Sequence, residues 1–175
     1  RGIGPSLAAA GISSADLLPD PKLELHDSEG ALIATNDNWM DGPQKIEISS
    51  LGLAPGNALE SALLAQLPPG TYTTIFSDSN GRSGIGLVAV SATNSAAPAS
   101  PVNISTRGFV QTGDDVMIGG FIIGGSETRH LALRAIGPSL AAAGITTPML
   151  DPVLELHDQN GVLMETNDNW KEHQA

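Results

Sequence analysis

The 175-residue sequence has no cysteine, 3% aromatic residues, and eight lysines and arginines against 19 acidic residues, a formal net charge of -11. Each shortage closes off a class of function. Without thiols there can be no disulfide framework, no thiolate zinc site and no cysteine nucleophile, although this alone does not fix the compartment. Without a basic stripe there is nothing to neutralise phosphates, so a DNA or RNA partner is not expected. One Tyr, two Trp and three Phe give no stacking platform for single strands. Long apolar runs are also missing. The richest, Val116 to Gly125, is interrupted by four glycines and falls far short of the roughly 18 to 20 residues of a spanning helix, so membrane insertion is not expected. The start, Arg1-Gly2-Ile3-Gly4-Pro5, carries neither an initiator Met nor a signal-peptide pattern, so the chain reads as a mature or excised piece.

What the sequence does contain is a repeat. Arg1-Gly2-Ile3-Gly4-Pro5-Ser6-Leu7-Ala8-Ala9-Ala10-Gly11-Ile12 returns at 134–145 with one change, Ala135 in place of Gly2. Asp20-Pro21-Lys22-Leu23-Glu24-Leu25-His26-Asp27 returns at 151–158, again with one change, Val153 for Lys22. Thr35-Asn36-Asp37-Asn38-Trp39 returns unchanged at 166–170. Self-similarity of this grade identifies tandem modules of about 131 to 133 residues. The stretch 93–101, rich in Pro, Ala and Ser, has nothing to bury and reads as a linker. Residues 1–92 then form the back of one module and 102–175 the front of the next, cut mid-module at both ends.

Most segments carry strand signals. Lys22 to His26 alternates polar and apolar, Asp27-Ser28-Glu29-Gly30 supplies a turn, and Ala31 to Thr35 restarts the strand. Asp158-Gln159-Asn160-Gly161 repeats that hairpin. Thr71 to Phe76, Gly84 to Val90, Val116 to Ile123 and His130 to Ile136 also read as strands, the last two joined by Gly124-Gly125-Ser126-Glu127. Ser6 to Gly11 is the single helical turn expected, with Ser6 as N-cap and Gly11 as C-cap. The fold class is all-β, with sandwich or jelly-roll-like modules in tandem and little or no helix.

The order Leu23-Glu24-Leu25-His26-Asp27-Ser28-Glu29-Gly30, then Leu32 to Asn38, Leu67-Pro68-Pro69-Gly70-Thr71-Tyr72 and Gly86 to Val90 resembles the bacterial pre-peptidase C-terminal domain. His26 and His157 stand where that family usually has Tyr. The Arg-Ala-Ile-Gly-Pro-Ser-Leu motif and Ile118 to Gly125 resemble tandem repeats of large surface proteins from environmental bacteria. The resemblance implies a secreted β-sandwich module, an accessory or structural unit rather than a catalytic one.

Candidate chemistry is sparse. His26, His130, His157 and His173 show no metal-ligand spacing. Gly4-Pro5-Ser6 and Gly137-Pro138-Ser139 lack a nucleophile elbow, and Gly119-Gly120 and Gly124-Gly125 form no phosphate loop. No enzyme signature emerges. The most chemical feature is an Asx-rich loop: Asn36, Asp37, Asn38 and Asp41, repeated at Asn167, Asp168 and Asn169. Its hard oxygens suit calcium, the one candidate cofactor; the alternative is an Asx turn with Trp39 as a packing anchor. Asp78-Ser79-Asn80-Gly81 and Gly113-Asp114-Asp115 are weaker versions. Asn103-Ile104-Ser105 is a glycosylation sequon at Asn103, and an intact mass equal to the bare 17.9 kDa chain would exclude a sugar there. The reading is a non-catalytic extracellular or cell-surface repeat protein whose partner is itself, assembling head-to-tail into a fibre by strand exchange. The alternative is an adhesin or carbohydrate-binding accessory module with glycan partners.

Overall fold

A computed structural model of the chain describes residues 1–93, 103–110, 116–123, 130–169 and 171. The chain divides into two compact units, Arg1–Val102 and Asn103–Ala175. Among the described residues strand outweighs helix, 22% to 14%, in three small open sheets, so the class is mainly β.

The first unit is built around β2 (Pro21–His26), which lies between β3 (Leu32–Asn36) and β4 (Thr73–Asp78) in an antiparallel sheet. The alternation read from the sequence is what the sheet uses. Pro21, Leu23 and Leu25 point into the core while Lys22, Glu24 and His26 are half-exposed. Leu23 is 2% exposed and Leu25 8%, and Leu17, Leu18, Ile48 and Ala62 complete a small core. A second pair, β1 (Gly2–Ile3) with β5 (Leu87–Val88), closes the unit's ends together, Gly2 facing Val88.

The β2–β3 turn shows why Asp begins it. Asp27 Oδ1 accepts the backbone N–H groups of Glu29 (2.9 Å) and Ala31 (2.8 Å), and Gly30 takes φ 83°, which a side chain would resist. A bulge between Leu25 and His26 follows from this turn. Before the sheet, Pro5–Ala10 is a 3₁₀ helix ending at Gly11 in the left-handed conformation. Gly11 is the C-cap the sequence predicts, but Ser6 is not the N-cap. That position is Gly4, and the Ser6 hydroxyl is engaged elsewhere.

Three further expectations need correction. A six-residue helix α1 (Lys45–Ser50) lies beside the turn Trp39–Asp41 and buries Ile48, with no capping side chain to announce it. Strand 84–90 shrinks to the two residues of β5. Val116–Ile123 and His130–Ile136 are not strands at all. Ile118 and Ile122 are 85% and 98% exposed. A strand's backbone groups need a neighbouring strand, and propensity does not supply one. The turn 124–127, residues 94–101 of the linker, Gly113-Asp114-Asp115 (111–115), Trp170 and His173 lie outside the described residues.

The second unit repeats the local structure and stops there. The 3₁₀ helix Pro138–Ala143 ends at left-handed Gly144, and β6 (Leu154–His157) pairs with β7 (Leu163–Asn167). Asp158 Oδ1 accepts the N–H groups of Asn160 (2.8 Å) and Val162 (2.9 Å), with the same bulge between Leu156 and His157. Among the described residues of this unit, only Gly137 is buried. Leu154 and Leu156, counterparts of Leu23 and Leu25, are half-exposed because no described strand stands where β4 stands in the first unit.

This contrast sets a matched test. Leu23→Ala should cost about 2–5 kcal/mol of unfolding free energy, as for a fully buried leucine, and Leu154→Ala less than about 1 kcal/mol. Urea denaturation of both variants checks it, and equal losses would contradict the difference in burial. Gly4→Ala should cost about 1–3 kcal/mol in the same assay, because a Cβ there collides with the Leu18 carbonyl oxygen.

Candidate functional site

The chain's polar centre is one carboxylate. Glu60, fully buried at 0% exposure, accepts Gly4 N–H (3.0 Å) and Ser6 N–H (2.7 Å) on Oε1. Its Oε2 accepts the Ser6 hydroxyl (2.6 Å) and Asn57 N–H (3.2 Å). Four donors around one buried carboxylate meet the requirement that a charge taken out of water be fully hydrogen-bonded. Two of these donors are backbone groups at the start of the 3₁₀ helix, otherwise orphaned there. Glu60 therefore joins the repeated Gly-Pro-Ser motif to a segment more than fifty residues away.

The rest of segment 57–62 is held by the Asx-rich loop. Asn36 Oδ1 accepts Ala62 N–H (2.8 Å), Trp39 N–H donates to Glu60 O (2.9 Å), and the Trp39 indole N–H donates to Asn57 O (3.0 Å). Gly2 exchanges both backbone bonds with Ser61. Two of the loop's side-chain oxygens, on Asn36 and Asp37, are in structural use. Asn36 Nδ2 caps Asn38 O (3.2 Å), and Asp37 accepts the Ser79 hydroxyl. Asp41 closes the 3₁₀ turn Trp39–Asp41 through its backbone, and Asn38 Oδ1 is buried without a partner among the described residues. Lys22, Asn36, Asp37, Asp41 and Ser79 line an open groove. Among the described residues, no three His, Asp or Glu side chains converge as a metal-binding group. In the second copy, Asn167 is half-buried at the end of β7, while Asp168 and Asn169 are exposed beside it.

The histidines brace hairpins. His26 Nδ1 meets Gly30 O at 3.0 Å and Nε2 meets Glu24 at 3.4 Å; His157 repeats both contacts at 3.1 and 3.0 Å. Glu155 raises the His157 pKa by holding its proton. His130 is exposed, and so is Asn103 with its sequon.

At the far end of β4, Asp78 accepts the N–H groups of Asp20 (3.0 Å), Asn80 (2.9 Å) and Arg82 (3.1 Å) and the Arg82 Nε–H (3.0 Å). Burial pushes its pKa up, but these donors and the Arg82 charge outweigh that and bring it down to about 2. Asp20 moves the other way, raised by burial and by the neighbouring Asp37 and Asp78 charges.

Comparison with protein-family models, curated proteins and solved structures found no match to this chain.

Sequence reading locates the Gly-Pro-Ser motif and the Asx loop but misses Glu60, which receives them. A signal is present: Glu60 is the single charge in the otherwise apolar or small run Ala58 to Ala65. An acid in such a run is either an exposed edge or a buried, fully paired group.

Two outcomes follow. Glu60→Gln keeps the shape but turns an amide NH₂ toward N–H donors, and should cost about 2–3 kcal/mol in thermal or urea unfolding. The depressed pKa of Asp78 gives stability that is complete above its ordinary value of 3.8 and lost as pH falls towards about 2. A pH series of denaturation midpoints should show this fall in the wild type, and a smaller one in Asp78→Asn.

Proposed function

We propose that this chain is a non-catalytic structural repeat protein of an extracellular fibre or cell-surface filament, its subunits joined head-to-tail by β-strand complementation. One observation carries the reading: the same motif occurs twice, once with its sheet completed by β4 and once, among the described residues, with the edge of β6 open. An open strand edge is a pairing surface that soluble proteins ordinarily cover or blunt, and Val153, Leu154, Glu155 and Leu156 give this one a single charge to discourage pairing. A contact between the second unit of one subunit and the first unit of the next uses two different surfaces, so it does not close and propagates linearly. The strongly acidic composition and the resemblance to secreted accessory modules support an extracellular setting.

The polar constellations support a mechanical rather than a chemical role. The Ser6 hydroxyl is committed to Glu60 rather than to a histidine base. Glycan binding has less support, because Trp39 donates its indole N–H to Asn57 and Tyr72 donates to Pro68 O.

Negative-stain electron microscopy and analytical ultracentrifugation of the purified chain test the proposal. Filaments with one axial repeat per chain, or a concentration-dependent ladder of oligomers, are expected. Monodisperse monomers across the accessible concentration range would overturn it.

A further inference from the structure

The two copies of the motif differ in what surrounds them, and the first copy records what the second lacks. Their local geometry matches. In each, a Cβ on the motif's buried glycine, Gly4 or Gly137, would strike a backbone carbonyl oxygen, that of Leu18 or Met149. The 3₁₀ helices end on glycines at φ 88° and 81°. The hairpins share turn bonds, bulge and register. Among the described residues, the second copy lacks a partner for three sets of groups. The edge of β6 opposite β7 is unpaired, where the equivalent edge of β2 carries β4. No described carboxylate meets Gly137 N–H or Ser139, where Glu60 meets Gly4 and Ser6. No described backbone donor reaches Asn167 Oδ1, where Ala62 reaches Asn36.

We propose that residues 134–169 form a preassembled acceptor for a segment with the sequence of residues 57–78, supplied by a second copy of this chain. This rests on the strand-complementation reading above and names the parts. The register is fixed by the first copy, in which Leu23 faces Phe76, Glu24 Ile75, Leu25 Thr74 and His26 Thr73. In the second, Leu154 takes Phe76, Glu155 takes Ile75, Leu156 takes Thr74 and His157 takes Thr73. Glu60 of the incoming segment is received by Gly137 N–H and the Ser139 hydroxyl and N–H. Burial of Leu154 and Leu156 drives docking, and the buried carboxylate sets its register, since any slip strands a charge.

One substitution shapes the affinity. Ala135 stands where Gly2 stands. A Cβ at Gly2 would lie 2.6 Å from Ser61 Oγ and 2.7 Å from a Phe76 ring carbon. Ser61 Oγ has no hydrogen bond to lose by rotating, but the Phe76 ring must shift, so the second acceptor binds the same segment less tightly than the first.

The test titrates the 175-residue chain with a synthetic peptide of residues 54–93 in an isothermal calorimeter. One saturable site per chain is expected. Peptide Glu60→Gln should bind at least tenfold more weakly, chain variants Ser139→Ala and Leu154→Asp should lose most of the binding, and Ala135→Gly should tighten it several-fold. The natural absence of cysteine allows a second readout: a Glu155→Cys chain should form a disulfide with an Ile75→Cys peptide faster than with a Thr73→Cys peptide. No saturable binding, or binding indifferent to Leu154→Asp and to Glu60→Gln, overturns the proposal. Filaments without peptide binding would remove the acceptor and leave the fibre reading standing. Peptide binding by a chain that stays monomeric would do the reverse.

Discussion

One buried carboxylate organises the first unit. Glu60 sits at the meeting of three stretches far apart in sequence, the Gly-Pro-Ser motif, its own segment and the Asx loop, and every donor it receives belongs to one of the first two. The loop reaches the same segment through Asn36 and Trp39. A leucine at position 60 would bury more apolar area yet say nothing about register. A charge that must find four donors permits one arrangement and penalises the rest. The core is small, four aliphatic side chains of Leu and one of Ile with Ala62, so the carboxylate supplies a specificity that packing alone does not.

The repeat separates what local sequence decides from what tertiary context decides. Leu-Glu-Leu-His-Asp makes the same strand, the same bulge and the same Asx turn in both copies, because Asp27 and Asp158 satisfy their own turn donors and Gly30 and Gly161 accept positive φ. Those features are legible from residues alone. Burial is not. Leu23 and Leu154 occupy near-identical sequence surroundings, and what packs around each, β4 and the rest of the first unit's core, tells them apart. The same lesson explains 116–123 and 130–136, where β-branched and aliphatic runs predict strands but no described partner strand accepts their backbone groups.

The site is legible in halves. Repetition singles out Gly4-Pro5-Ser6 and Asn36–Asp41, but the roles that their residue types suggest are local: a cap for Ser6, hard-oxygen ligation or a self-contained turn for the loop. The fold gives Ser6, Asn36 and Trp39 a non-local purpose, the docking of residues 57–62. No spacing rule links position 6 to position 60. That pairing depends on how the chain returns across the sheet, and sequence periodicity carries no record of the return.

The matching hairpins also imply an order of events. A hairpin that holds its turn, bulge and register beside an open edge in the second unit does not need β4 to form in the first. Local closure comes early and cheaply, while bringing residue 60 back to residue 4 closes a loop of more than fifty residues and comes late. Substitutions in the turn should then slow folding, whereas substitutions at Glu60 should chiefly hasten unfolding. If residues 134–169 accept that segment as proposed, the last step of folding in the first unit is chemically the same step as docking on the second, and the rate at which a chain seals its own sheet bounds the time it can offer that strand to a neighbour.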